Sequence, residues 1–208
     1  MSFSLGVIGL GRIAQAIILP LLEQGEILPE NVFAVVGKTS SIQDVLSRFP
    51  QGINVFDASH PHASKAWEAD VQLIAVKPNQ LDLLKGQRKI VQDKKTVKPL
   101  LVSVLAGVNL IRLQSTFPSH VCVRAVPNTP SLVGEGLTGL SWGEGVDSLQ
   151  KESVYKIFNP TSDVFELPEE QMDAFLALTS SGPAYVALIT EALSDGAVAA
   201  GLPRLLAN

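Results

Sequence analysis

Short apolar runs alternate with amphipathic segments along the first 148 residues. The runs at 5–8, 32–36 and 71–76 are too short for core helices and rich in β-branched residues, so they read as buried strands. Further strands are expected at 53–56, within 98–105, and at 121–126. Between them, apolar positions recur at helical spacing over 12–22, 41–49, 62–69, 81–91 and 110–117. Breakers punctuate the pattern: Gly25 after the first helix, Pro50 and Gly52 after the second, Pro78 and Gly107 after later strands. Apolar strands alternating with helices predict an α/β fold with a mostly parallel sheet covered on both faces.

The alternation stops near Ser148. A short segment at 154–158 is followed by Pro168, Glu169 and Glu170, which read as a helix start with acids in the first turn. The helix should run over 171–179, be interrupted at Ser181, Gly182 and Pro183, and give way to a long helix over 184–200. Gly201 then caps it, and Pro203 opens another helix only one turn before Asn208. The expected organisation is a sheet domain over 1–160 and the beginning of an all-helical domain over 161–208. The chain is therefore expected to be the front part of a longer protein.

Composition narrows the class. Of 208 residues, 46% are apolar and 17% charged, a folded profile rather than a disordered one. The net charge of −4 argues against nucleic acid as the main partner. The start lacks a basic segment ahead of an apolar run, and the stretch 5–22 carries Arg12 and Gln15, so neither a signal peptide nor a membrane span is expected. A cytoplasmic location fits. The single cysteine, Cys122, excludes an internal disulfide and, inside an apolar run, reads as a buried, inert thiol.

The chemistry begins with Gly9-Leu10-Gly11-Arg12-Ile13-Ala14, a G-x-G-x-x-A pattern between a strand and a helix. Gly9 permits a tight turn, Gly11 lacks the Cβ that would block a pyrophosphate, and Ala14 allows close helix–strand packing. The helix N-terminus presents free N–H groups to phosphate oxygens. Gly9, Leu10, Gly11, Arg12 and Ile13 are thus expected around the phosphates of a dinucleotide. The second strand ends Val36-Gly37-Lys38-Thr39-Ser40, with no carboxylate before Asp44. An NAD-selective site usually carries one there, whereas Lys38, Thr39 and Ser40 suit a 2′-phosphate. NADPH is expected over NADH, with NADH open and a solvated loop lysine the competing reading of Lys38.

Ala75, Val76, Lys77 and Pro78 end the fourth strand and should line the crevice beside the cofactor ribose and nicotinamide. Lys77 is open between an acid, a charge partner and a solvated lysine. The stretch 103–107, with Ala106, should present small groups near the nicotinamide. Asn128, bracketed by Pro127 and Pro130, is either held against the nicotinamide side or makes a structural Asx turn. Arg124 reads as a charge pair within the fold or a support behind that loop. His60, His62 and His120 are expected to be solvated or capping. No metal-site spacing appears, Ser181 lacks a nucleophile elbow, and no Walker lysine follows the glycines.

Four blocks carry a resemblance to the pyrroline-5-carboxylate reductase family: VIGLGRIA at 7–14, AVKPN at 75–79, RAVPNTP at 124–130, and TSSGPAY at 179–185 with EALSDGAVAAGLPR at 191–204. The first is shared by many dehydrogenases; the third and fourth together are specific. The resemblance implies a Rossmann-like NAD(P)-binding domain. It implies hydride transfer from NADPH, or NADH, to the C=N carbon of a protonated cyclic imine, the last step of proline biosynthesis. It further implies a homodimer or larger homo-oligomer. Two positions depart from the family. Ser180 stands where glycine is common, and Ser59 lies where a cofactor-loop asparagine is common and substitutes for it in part. The family's S-P-G-G-T-T loop, which holds the substrate carboxylate and the threonine near the ring nitrogen, has no match, so no catalytic residue is assigned. Two other classes compete. One is another NADP-dependent dehydrogenase acting on a keto or hydroxy acid, disfavoured because no lysine follows Lys156 to protonate an oxygen. The other is a non-catalytic NADP-binding module.

Overall fold

The structure is a computed structural model that describes residues 3–87 and 98–208. The strands are β1 (Leu5–Ile8), β2 (Val32–Val36), β3 (Asn54–Asp57), β4 (Val71–Ile74), β5 (Leu100–Ser103), β6 (Val121–Pro127), β7 (Gly136–Trp142) and β8 (Ser162–Glu166). They form one eight-stranded sheet in the order β3-β2-β1-β4-β5-β6-β7-β8. Neighbours are parallel except β6 and β7. Every residue of β1, β4 and β5 is buried, as two covered faces require. The order 3-2-1-4-5-6 is that of dinucleotide-binding sheets, and it places a topological switch point between β1 and β4.

The helices are α1 (Arg12–Glu23), α2 (Ser41–Leu46), α3 (Lys65–Glu68), α4 (Leu81–Gln87), α5 (Leu110–Thr116), α6 (Ser148–Phe158), α7 (Met172–Ala199) and α8 (Arg204–Ala207). Helix α1 buries Ala14, Ile17, Ile18 and Leu21 in the main core. On the other face α3 crosses β1 so closely that a Cβ on Gly6 would sit 1.7 Å from the Ala66 carbonyl oxygen, a constraint no sequence period revealed. The expected continuation of α4 to residue 91 lies outside the described residues.

Three expectations are corrected. First, the interruption at Ser181, Gly182 and Pro183 is absent: α7 runs unbroken from Met172 to Ala199 with Pro183 inside it. Second, the alternation of helix and strand does not stop near Ser148. Helix α6, opened by a reciprocal capping box between Asp147 and Gln150, leads into β8, so the sheet continues to Glu166. Neither β7 nor β8 has an apolar run to announce it: β7 contains Gly136 and Gly139, and β8 is a largely exposed edge. Third, His120 is buried rather than solvated or capping. Its Nε2 lies 2.9 Å from the Oε1 of Gln72, itself fully buried. Cys122 is buried among apolar side chains, which push its thiol up to about 11.

Candidate cofactor site

The crevice forms where the carboxyl ends of β1, β2 and β4 meet. After Ile8 the chain turns at Gly9, whose φ of +95° is left-handed and whose added Cβ would lie 2.8 Å from the Ala75 carbonyl oxygen. Backbone hydrogen bonds from Gly9 N to Val35 O (2.9 Å) and Ala75 N to Ile8 O (2.9 Å) tie the turn to both neighbours. Gly11 then caps α1 with extended backbone and no side-chain hydrogen bond, and a Cβ there would meet no protein atom within 4 Å. No side chain caps the first-turn N–H groups of α1, which begins beside the crevice that Gly11 lines. The chain leaves room for a group where a pyrophosphate requires it, and the site fits the phosphates of a dinucleotide.

The crevice has a volume of ≈ 370 Å³. Gly9, Leu10, Gly11, Ala75, Val76 and Lys77 line it together. Gln80, just before α4, Leu83 and Leu84 within it, and Ser41 and Val45 of α2 form the rest of its wall. No motif or periodicity in the sequence marks these as wall residues. Leu83 is 68% exposed, a large apolar side chain left open beside a crevice. The Gln80 Oε1 accepts from the Lys77 N–H at 3.2 Å and fixes the loop that Pro78 opens, while the Lys77 side chain is exposed.

The remaining expected residues divide. Arg12 is exposed on the first turn of α1, and Ile13 packs against the core. Lys38, Thr39 and Ser40 are exposed just past the end of β2, and Ala106 is exposed in the turn after β5. Ser59 binds Asp57 through both its N–H and its hydroxyl, and Thr39 Oγ1 donates to the same carboxylate at 3.3 Å. The Ser59 donors, foremost among the causes, hold the Asp57 carboxyl below its usual range.

Asn128 is 4% exposed, and its amide is spent within the fold. Its Oδ1 accepts from Leu137 N at 2.8 Å, and its Nδ2 donates to the Thr179 carbonyl at 3.0 Å. Thr179 stands four residues before Pro183, which has no N–H to offer that carbonyl. The Asn128 amide supplies the missing donor, which is how α7 carries a proline without breaking. Arg124, 2% exposed, pairs with Glu169 (2.8 Å) and Asp173 (2.6 Å). Burial pulls its guanidinium pKa down, but the two carboxylates outweigh it and hold the pKa above the ordinary value. Glu169 Oε1 also accepts from Leu110 N at 3.0 Å, so one carboxylate ties β6 and the start of α5 to the entry of α7. Among the described residues no group of three His, Cys, Asp or Glu could hold a metal ion.

Comparison with known proteins adds to this geometry. The profile described as pyrroline-5-carboxylate reductase dimerisation matches residues 169–208. A second, NADP oxidoreductase coenzyme F420-dependent, matches residues 4–107. A pyrroline-5-carboxylate reductase of Synechocystis is 39% identical over 209 residues, covering 100% of this chain and 74% of that protein. The structure of one from Coxiella burnetii superposes with a TM-score of 0.85 at 31% identity, again covering 100% of this chain and 74% of that one. One from Plasmodium falciparum, with NADP bound, gives a TM-score of 0.78 at 29% identity, covering 99% and 72%.

Proposed function

This chain belongs to the pyrroline-5-carboxylate reductase family, and we propose that it reduces 1-pyrroline-5-carboxylate to L-proline with NADPH, the last step of proline biosynthesis. The observation that carries the proposal is the uncapped start of α1 above an open crevice at the switch point, in a chain that aligns along its whole length with such reductases. When bound, the nicotinamide supplies a hydride to the C=N carbon, and the electron pair of that bond ends on the ring nitrogen, already protonated in the iminium. What the protein must do is hold two rings face to face and keep water out. In this proposal Gly9, Leu10, Gly11, Arg12 and Ile13 hold the phosphates. Lys38, Thr39, Ser40 and Ser59 surround the adenosine ribose, and Ala75, Val76, Lys77, Pro78 and Ala106 line the path to the nicotinamide. Asn128 serves from behind, through the loop it ties to α7.

Helix α7 reads as a surface between chains. Glu169–Ala199 is long and apolar enough to cross a membrane by length and composition, with 11% of its apolar window buried. The dimerisation profile covers this same segment, so its open faces are assigned to a second copy rather than to lipid. A homo-oligomer in the cytoplasm is part of the same proposal. The test is spectrophotometric. The purified full-length protein, with the substrate loop the family carries, is expected to consume NADPH with 1-pyrroline-5-carboxylate and not with a 2-ketoacid; turnover of the ketoacid alone would refute it.

A further inference from the structure

We propose that Asp57 moderates the preference for NADPH over NADH, disfavouring the 2′-phosphate by competing with it for the hydroxyls of Thr39 and Ser59. Strands β2 and β3 pair in parallel with Val36 opposite Asp57, so their carboxyl ends finish level at the crevice mouth. Just beyond β2 stand Lys38, Thr39 and Ser40, the groups suited to a phosphate. The same fold that brings them there brings a carboxylate from β3 among them. Thr39 Oγ1 donates to Asp57 Oδ2 at 3.3 Å, Ser59 N donates to Oδ1 at 2.9 Å, and the Ser59 hydroxyl donates to Oδ1 as well.

Two hydroxyls otherwise available to a phosphate are thus already engaged by an anion. A dianionic 2′-phosphate has to take them from Asp57 and then sit beside its charge. The neutral 2′-hydroxyl of NADH meets no such conflict and can itself donate to the carboxylate. Lys38, exposed one residue before Thr39, contributes a charge of the opposite sign. The site is solvent-exposed, so the effect is the size of one exposed charge interaction, about two- to fivefold in affinity.

The proposal rests on the cofactor site assigned above, and the test separates the two. Dissociation constants for NADPH and NADH are measured by fluorescence titration on the wild-type protein, Asp57→Asn, Asp57→Ser and Lys38→Ala, at low and high salt. Removing the charge at Asp57 should tighten NADPH about two- to fivefold and leave NADH unchanged or weaker, with the gain over wild type shrinking at high salt. Lys38→Ala should weaken NADPH more than NADH. If both Asp57 variants weaken the two cofactors equally, Asp57 merely holds its loop and the proposal is overturned while the cofactor site stands. If the wild-type protein binds neither cofactor, both readings fall.

Discussion

Gly9 and Gly11 sit two residues apart and are glycines for different reasons. At Gly9 the protein itself forbids a side chain, through a positive φ and the nearby Ala75 carbonyl. At Gly11 the backbone is ordinary and the space is empty, so the protein alone would accept a larger residue. The two substitutions should therefore separate. Gly11→Val is expected to leave the unfolding midpoint within a few degrees of wild type while weakening NADPH binding roughly tenfold or more, because the branched side chain fills the phosphate cradle. Gly9→Ala should lower stability by roughly 1–3 kcal/mol, since it is strained with or without a ligand. Equal NADPH affinity in wild type and Gly11→Val would remove the phosphates from this turn. The glycine pattern was legible in the chain. Asp57 was not, because it follows Thr39 by many residues and meets it only through strand pairing.

Helix α7 shows how an element escapes a local rule. Read alone, Ser181, Gly182 and Pro183 should end a helix, since proline removes one hydrogen bond and pushes against the carbonyl four residues earlier. That carbonyl belongs to Thr179, and it accepts from the Asn128 side chain. The arrangement predicts a coupling measurable by urea unfolding. Asn128→Asp keeps an acceptor for Leu137 N but places an oxygen against the Thr179 carbonyl, and should cost about 1–3 kcal/mol. In a Pro183→Ala background the helix supplies its own N–H to Thr179, and the cost of the same substitution should fall by about 1 kcal/mol. Strictly additive effects would show that the amide does not serve the proline. The same contact makes RAVPNTP and TSSGPAY, distant in the chain, two sides of one joint.

Across the whole molecule, the sheet is a complete core, whereas α7 and α8 are not. Leu178, Tyr185, Ile189 and Leu193 of α7 and Leu205 and Leu206 of α8 are all at least 60% exposed, far more apolar surface than scattered single residues explain. A helix this apolar needs a partner, and the dimerisation profile lies over it. Replacing Ile189 and Leu193 together by Glu should convert an associating protein to monomers in sedimentation while leaving its secondary structure by circular dichroism intact. Unchanged association would move the interface elsewhere.

Periodicity and punctuation along the chain were enough for the alternating strands and helices, the parallel sheet, the glycine turn ahead of α1, and the buried thiol. Each depends on neighbours within a few residues or on a strand's own apolar content. Three features required the folded chain. Strands β7 and β8 carry glycines and polar edge residues, and they become strands only by pairing with β6 and with each other. The continuity of α7 depends on a donor from another element, and the outer part of the crevice on α2 and the start of α4, some forty residues apart, lining one space. These contacts are long-range, and a one-dimensional pattern records which groups are available but not which of them meet.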